Sequence, residues 1–158
     1  MNNRKLYNLL AFVLAAIMLL GMLAGCSVEK QKTPRGSASV VSVMESKDME
    51  TADVTDTFGD GFETVIAAEN SDLHVEFYEM SDEDSAKEFQ QLILQNQQSG
   101  QTVKTSTSVD GNNYSVLRFS VDEQFFIVTY VENTVLIVTC DNSSKDEAKA
   151  FASELGYY

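Results

Sequence analysis

The spacing of apolar residues along residues 37–158 changes between a helical and a strand-like period. Apolar side chains three and four positions apart predict a helix from Ser37, a second after Ser81 and a third from Ser144. Alternating or continuous apolar runs predict strands between these helices. The predicted strands cover residues 49–55, 62–68, 73–80, 102–109, 114–121, 125–131 and 134–140.

The last two predicted strands differ from the others because nearly every position in them is apolar. Continuous apolar runs of this length are typical of strands with both faces covered, so strands 125–131 and 134–140 are expected at the centre of a sheet. The connections are short and strands dominate. The pattern therefore predicts an α+β fold in a single domain, with a mostly antiparallel sheet of about six to seven strands packed with about three helices.

The ends of the helices are predicted from short polar motifs. Ser81 with Asp84, and Ser144 with Glu147, match the capping box that starts a helix. Gly156 is expected to end the last helix. The two tyrosines that follow it, Tyr157 and Tyr158, are interpreted as an exposed contact or a frayed end.

The N-terminal residues have the layout of a secretory signal peptide. Arg4 and Lys5 precede an apolar run from Leu9 to Leu23, which ends in small residues directly before Cys26. The run is about fifteen residues long, against roughly 20 needed to cross the hydrocarbon core of a bilayer. A cleaved signal peptide is therefore favoured over a permanent transmembrane helix.

The sequence Leu23-Ala24-Gly25-Cys26 resembles the lipobox of bacterial lipoproteins. The resemblance implies a diacylglycerol on the sulfur of Cys26 and cleavage between Gly25 and Cys26. It also implies a protein held on the extracytoplasmic face of the cell membrane, since two acyl chains anchor firmly. The expected organisation is a signal peptide over residues 1–25, a lipidated N-terminus and flexible tether over 26–36, and an acidic domain over 37–158.

The exported part also resembles a known group of proteins. The stretch from Val75 to Phe89, with the order of elements around it, is similar to small uncharacterised lipoproteins of Gram-positive bacteria. That resemblance brings no catalytic residue to this chain.

Charge limits the partners of the exported part. The chain has 11 basic and 24 acidic residues. The only charged residues before Cys26 are Arg4 and Lys5, so the part from Cys26 onward has nine basic residues and a formal charge of −15. Such a charge repels nucleic acid and anionic lipid. Cations, basic peptides or proteins remain as partners.

Candidate chemistry is sparse. His74 is the only histidine and lies beside Glu76 and Tyr78 on the polar face of a strand, where an exposed surface residue is expected. If Cys26 carries lipid, Cys140 has no intramolecular partner, and its apolar run predicts a buried position.

The loop from Asp56 to Glu63 offers weak metal candidates in Asp56, Asp60 and Glu63. An EF-hand alignment of this loop fails, because its third position would be Phe58 and its twelfth Ala67. A hairpin turn is the favoured interpretation, and no cofactor is expected.

The sequence thus predicts a lipid-anchored cell-surface lipoprotein whose domain is a non-catalytic binding or assembly module. Two alternatives stay open. One is an extracytoplasmic hydrolase that uses carboxylates, which would need two of them with opposed pKa shifts in a cleft. The other is a weak cation-binding module.

Overall fold

The computed structural model describes residues 31–98 and 103–158, and the compact unit that they belong to spans Gln31–Tyr158. The predicted signal peptide, its cleavage site at Gly25 and Cys26, and tether residues 26–30 lie outside the described residues. The elements are α1 (Ser37–Ser46), β1 (Glu50–Asp53), β2 (Phe62–Glu69), β3 (Leu73–Met80), α2 (Glu83–Gln98), β4 (Val103–Asp110), β5 (Tyr114–Val121), β6 (Gln124–Val131), β7 (Thr134–Asp141) and α3 (Lys145–Glu154), with short 3-10 turns at Thr55–Thr57 and Asn142–Ser144.

The strands form one seven-stranded sheet in the order β1-β2-β3-β7-β6-β5-β4, and every neighbouring pair is antiparallel. Two meanders, β1–β3 and β4–β7, are therefore joined where β3 pairs with β7, from Leu73 opposite Cys140 to Glu79 opposite Thr134. Helix α2 connects the two meanders along the chain. The predicted α+β fold with a mostly antiparallel sheet and three helices is confirmed.

Helices cover both faces of the sheet. Helices α1 and α3 pack on one face, where Met44 and Phe151 meet Phe77 and Leu136 in a common core. Helix α2 packs on the other, hereafter the α2 face, where its Ala86 belongs to a second core. Strands β6 and β7 are buried at nearly every position, and β7 is the middle strand. Their predicted central position is confirmed.

Both capping-box predictions were wrong. The residue that caps α2 is Asp82, whose Oδ1 accepts a hydrogen bond from the backbone N–H of Ser85 at 2.8 Å, while the Ser81 hydroxyl bonds the Asp82 carboxylate at 3.2 Å. Asp82, one position after Ser81, is also a preferred N-cap residue, and its carboxylate accepts the capping bond instead of the Ser81 hydroxyl. Ser144 makes no side-chain capping bond because the Asn142–Ser144 turn leads directly into α3 and gives Ser144 φ −100° and ψ 13°.

The two C-terminal tyrosines are structural, so their prediction as an exposed contact or frayed end was wrong. Gly156, at φ 84°, turns the chain after α3, as predicted for the end of that helix. The side chain of Tyr157 then enters the core edge-on to Phe77, and its hydroxyl lies 2.6 Å from that of Thr134. Tyr158 lies under the guanidinium of Arg118 at 5.2 Å.

The segment ahead of α1 is held against the domain by hydrogen bonds. The backbone N–H of Lys32 donates to Asn113 Oδ1 at 3.1 Å, and Asn113 Nδ2 donates to the Lys32 carbonyl at 2.6 Å. The ammonium of Lys32 donates to the carbonyls of Gly156 (2.9 Å) and Tyr158 (3.0 Å), and Arg35 donates to that of Glu154 (2.8 Å). These contacts join both ends of the described domain.

Replacing Tyr157 tests the structural role of the C-terminus. Tyr157→Ala removes a fully buried ring and is expected to lower the free energy of unfolding by about 3–5 kcal/mol. Tyr157→Phe removes only the hydroxyl, with its hydrogen bonds to the Thr134 side chain and the Arg35 backbone, and should cost about 1–2 kcal/mol. Urea unfolding measures both, and equal small losses in the two variants would contradict the buried position.

Candidate functional site

The three weak metal candidates are separate exposed residues. Asp56 lies in the Thr55–Thr57 turn, Asp60 in the following loop and Glu63 on β2. The carboxylate that is hydrogen-bonded beside this loop is that of Asp53, at the end of β1, which accepts bonds from the hydroxyl (2.6 Å) and backbone N–H (3.0 Å) of Thr55. Within residues 31–98 and 103–158, no three or more His, Cys, Asp or Glu side chains are placed to hold a metal ion.

His74, Glu76 and Tyr78 form a hydrogen-bonded row along β3. His74 Nε2 lies 3.2 Å from Glu76 Oε1, and the Tyr78 hydroxyl donates to Glu76 Oε2 at 2.8 Å. The side chain of His74 is about half exposed, with Glu69 on its other side at 3.7 Å. Burial, and then the charge of Glu76, raise the pKa of the Tyr78 phenol, which therefore stays protonated and serves as a donor.

Hydrogen bonds lower the pKa values of three carboxyl groups: the Thr55 hydroxyl does so for Asp53, the Ser85 backbone N–H for Asp82 and the Lys149 ammonium for Asp146. All three shifts have the same direction. A hydrolase with two carboxylates needs one of them raised, so that it stays protonated as the acid. These groups therefore give the hydrolase alternative no support.

Cys140 is a buried residue of β7 in the core under α1 and α3. Burial raises the pKa of its thiol, and the neighbouring charge of Asp141 acts in the same direction. A thiol that resists ionisation is a poor nucleophile. Its chemistry is that of a small apolar core residue.

An apolar concavity lies between α2 and the loop before β2. This α2 groove has a volume of about 430 Å³, and its lining includes Phe62, Phe89 and Leu92, with Asp60 and Glu88 on its acidic rim. Ring contacts order its floor: Phe62 and Phe89 lie 5.3 Å apart, and Phe89 lies 4.7 Å from Tyr78. The groove is thus apolar inside and negatively charged outside.

Two exposed apolar side chains lie at this groove. In the part of the chain that the structure describes, three large apolar side chains are exposed: Phe58 (37%), Leu92 (50%) and Val109 (47%). Leu92 lines the groove, and Phe58 packs on its Phe62 at 5.2 Å. Grouped exposed apolar residues beside a concavity are typical of a binding site.

A second hollow has a larger volume than the α2 groove but a different lining. This hollow of about 610 Å³ lies between the end of α1 and the β2–β3 turn. It is lined by polar and charged residues, among them Asp48, Glu50 and Asp72, which water solvates well. The apolar lining makes the α2 groove the better candidate.

Sequence reasoning placed Phe62 and Phe89 in the core and did not identify the groove. The sequence does contain an indication of the groove at Leu92, which lies beside the apolar helical stripe of Ala86, Phe89 and Ile93. Leu92 makes this stripe wider than the surface that the sheet covers, so it stays exposed. The role of Phe58 was not predictable, because its position beside Phe62 depends on the path of the loop between them.

No protein-family model matches the chain, and no curated protein is similar to it in sequence. Its structure is similar to a crystal structure of a GTP binding regulator from Thermotoga maritima, with 15% sequence identity and a TM-score of 0.49 over 78% of this chain and 88% of that one. A likeness of this degree carries no argument about function. None of the helices within the described ranges is long and apolar enough to cross a membrane.

The raised pKa of Tyr78 predicts a specific pH dependence of stability. Its folded pKa lies above the unfolded value of about 10, so its contribution is complete below about pH 10 and is lost as the pH rises towards the folded pKa. At neutral pH, Tyr78→Phe should be less stable than the native chain by about 1 kcal/mol, through loss of the bond to Glu76.

Above about pH 10 this difference should shrink, because the variant has no phenol to ionise. Urea unfolding of both proteins across this range provides the measurement. A stability difference that stays constant with pH would contradict the assigned burial and pairing of Tyr78.

Proposed function

We propose that this chain is a bacterial lipoprotein that presents a non-catalytic binding module on the extracytoplasmic face of the cell membrane. The proposal of an anchor is supported by Leu23-Ala24-Gly25-Cys26 and the apolar run before it. The proposal of a non-catalytic role is supported by the burial of Cys140, the solvent exposure of His74 and the uniform direction of the carboxyl pKa shifts.

The hydrogen bonds of Lys32 bear on how such an anchor would hold the domain. Five residue steps separate Cys26 from Gln31, where the compact unit begins, and a fully extended chain of that length spans at most about 18 Å. The domain would therefore stay close to the bilayer. Its end near Asn113 and Gly156, where Lys32 is held, would face the lipid.

The α2 groove is the proposed binding site, and the exposure of Phe58 and Leu92 beside it is the observation that carries this assignment. Its acidic rim and the −15 charge of the exported part favour a partner that is basic as well as apolar. The proposed ligand is thus a peptide segment with apolar and basic side chains. Its apolar groups would cover the aromatic floor while its cations face Asp60 and Glu88.

The anchor is tested by intact mass after expression in a bacterium. The native chain should lose residues 1–25 and gain a diacylglycerol, whereas Cys26→Ala should show neither change. Cys140→Ala is the matched control, because it removes the other cysteine of the chain and should be processed like the native protein. Acylation of the Cys26→Ala variant would rule out the proposed anchor.

The groove is tested with two soluble fluorescent peptides, one of Lys and Leu residues and one of Glu and Leu residues, against a fragment of residues 31–158. The first should bind saturably and the second should not, because of the acidic rim. Phe58→Ala and Leu92→Ala should each weaken binding about tenfold, as the loss of an apolar contact residue commonly does.

Val109→Ala is the matched control for the groove, since Val109 is the third exposed large apolar residue of the described chain and lines no part of it. Its affinity should equal that of the unchanged fragment. Equal weakening by Val109→Ala and Phe58→Ala, or equal binding of both peptides, would contradict the groove as the site.

A further inference from the structure

A small pocket on the face that α1 and α3 cover collects positive charge. Arg118 on β5 and Lys145 and Lys149 on α3 line a concavity of about 260 Å³, together with the hydroxyl residues Thr107 and Ser120. The whole chain has 11 basic residues and 24 acidic ones. Three cations in one concavity are therefore a marked local excess, and this group is called the basic pocket below.

Two of these cations are unneutralised. Lys149 pairs with Asp146 at 2.9 Å, but neither Arg118 nor Lys145 forms an ion pair with any carboxylate of the described residues. The ammonium of Lys145 instead lies over the ring of Phe125 at 5.2 Å. Two other lysines are ion-paired, Lys47 with Glu154 at 2.9 Å and Lys87 with Glu83 at 2.8 Å, while Lys32 donates to backbone carbonyls. The basic pocket thus retains charge that an anionic group can use.

The guanidinium of Arg118 is fixed in place. One of its terminal nitrogens donates to the Tyr158 hydroxyl at 2.7 Å, and the group lies over the Tyr158 ring. Its Nε is buried and has no hydrogen-bond partner among the described residues. A guanidinium carries five N–H donors in a rigid fork that matches carboxylate and phosphate oxygens. An orientation set in advance reduces the entropy lost when such a group binds.

We propose that the basic pocket binds one oxyanion group, a phosphate or a carboxylate, of a small ligand. Its volume is below the roughly 300–1,000 Å³ of sites that enclose whole organic ligands, so it fits a single charged group. The terminal N–H groups of Arg118 that do not bond Tyr158 would donate to the oxygens of this group, and Lys145 would contribute the nearby positive charge. The site is independent of the α2 groove, which lies on the opposite face of the sheet.

The test is an NMR titration of the full chain in a non-ionic detergent with inorganic phosphate and, separately, with acetate, at constant ionic strength. At least one anion should shift the backbone signals of Arg118, Ser120 and Lys145 saturably. The tighter of the two identifies the chemistry of the bound group. Lys145→Gln should weaken binding about five- to tenfold, by loss of a charged contact.

Lys87→Gln is the matched control, because it removes the same charge from an ion-paired lysine on the opposite face. It should leave the affinity unchanged. Arg118→Lys retains the charge without the fork and should also weaken binding. Absence of saturable shifts with either anion, or equal weakening by Lys145→Gln and Lys87→Gln, would overturn the proposal. None of these outcomes bears on the peptide test of the α2 groove.

Discussion

The pairing of β3 with β7 is the interaction on which the rest of the domain depends. It joins the β1–β3 meander to the β4–β7 meander, and it is buried from Leu73 to Phe77 on the face of α1 and α3 and at Tyr78 and Val135 on the α2 face. Phe77 and Leu136 are partners in this pair and face α1 and α3, while Tyr78 and Val135 face α2. Helix α2 packs across both meanders, whereas α1 packs on the first and α3 on the second, so the pairing also brings α1 and α3 into one core.

Central burial also explains where function can reside. The helices cover the middle of the sheet, so its apolar residues are used for stability, and ligands can reach only the rims. One rim, on the α2 face, holds the aromatic α2 groove beside Phe58 and Leu92. On the other face, Arg118 lies beside α3 in the basic pocket, with Tyr158 beneath its guanidinium. The two proposed binding sites lie on these rims.

The features that were predictable from the sequence are those set by local periodicity. Strands 125–131 and 134–140 were predicted to be central because continuous apolar runs need cover on both faces, and Gly156 was predicted to end a helix because it tolerates positive φ. The strand order was not predictable, since antiparallel pairing leaves several orders open. Tyr157 was misplaced because its burial depends on the space beside Phe77, which only the folded sheet creates. Phe58 and Arg118 were missed for the same reason.

Native-state hydrogen exchange on the full chain tests most directly whether the sheet is one cooperative structure joined at β3 and β7. Amides of β3, β6 and β7 should exchange slowest, with a common opening free energy equal to that of global unfolding, and the edge strands β1 and β4 should exchange faster. Exchange of β1–β3 with a lower opening free energy than β5–β7, as two independent units, would contradict this account.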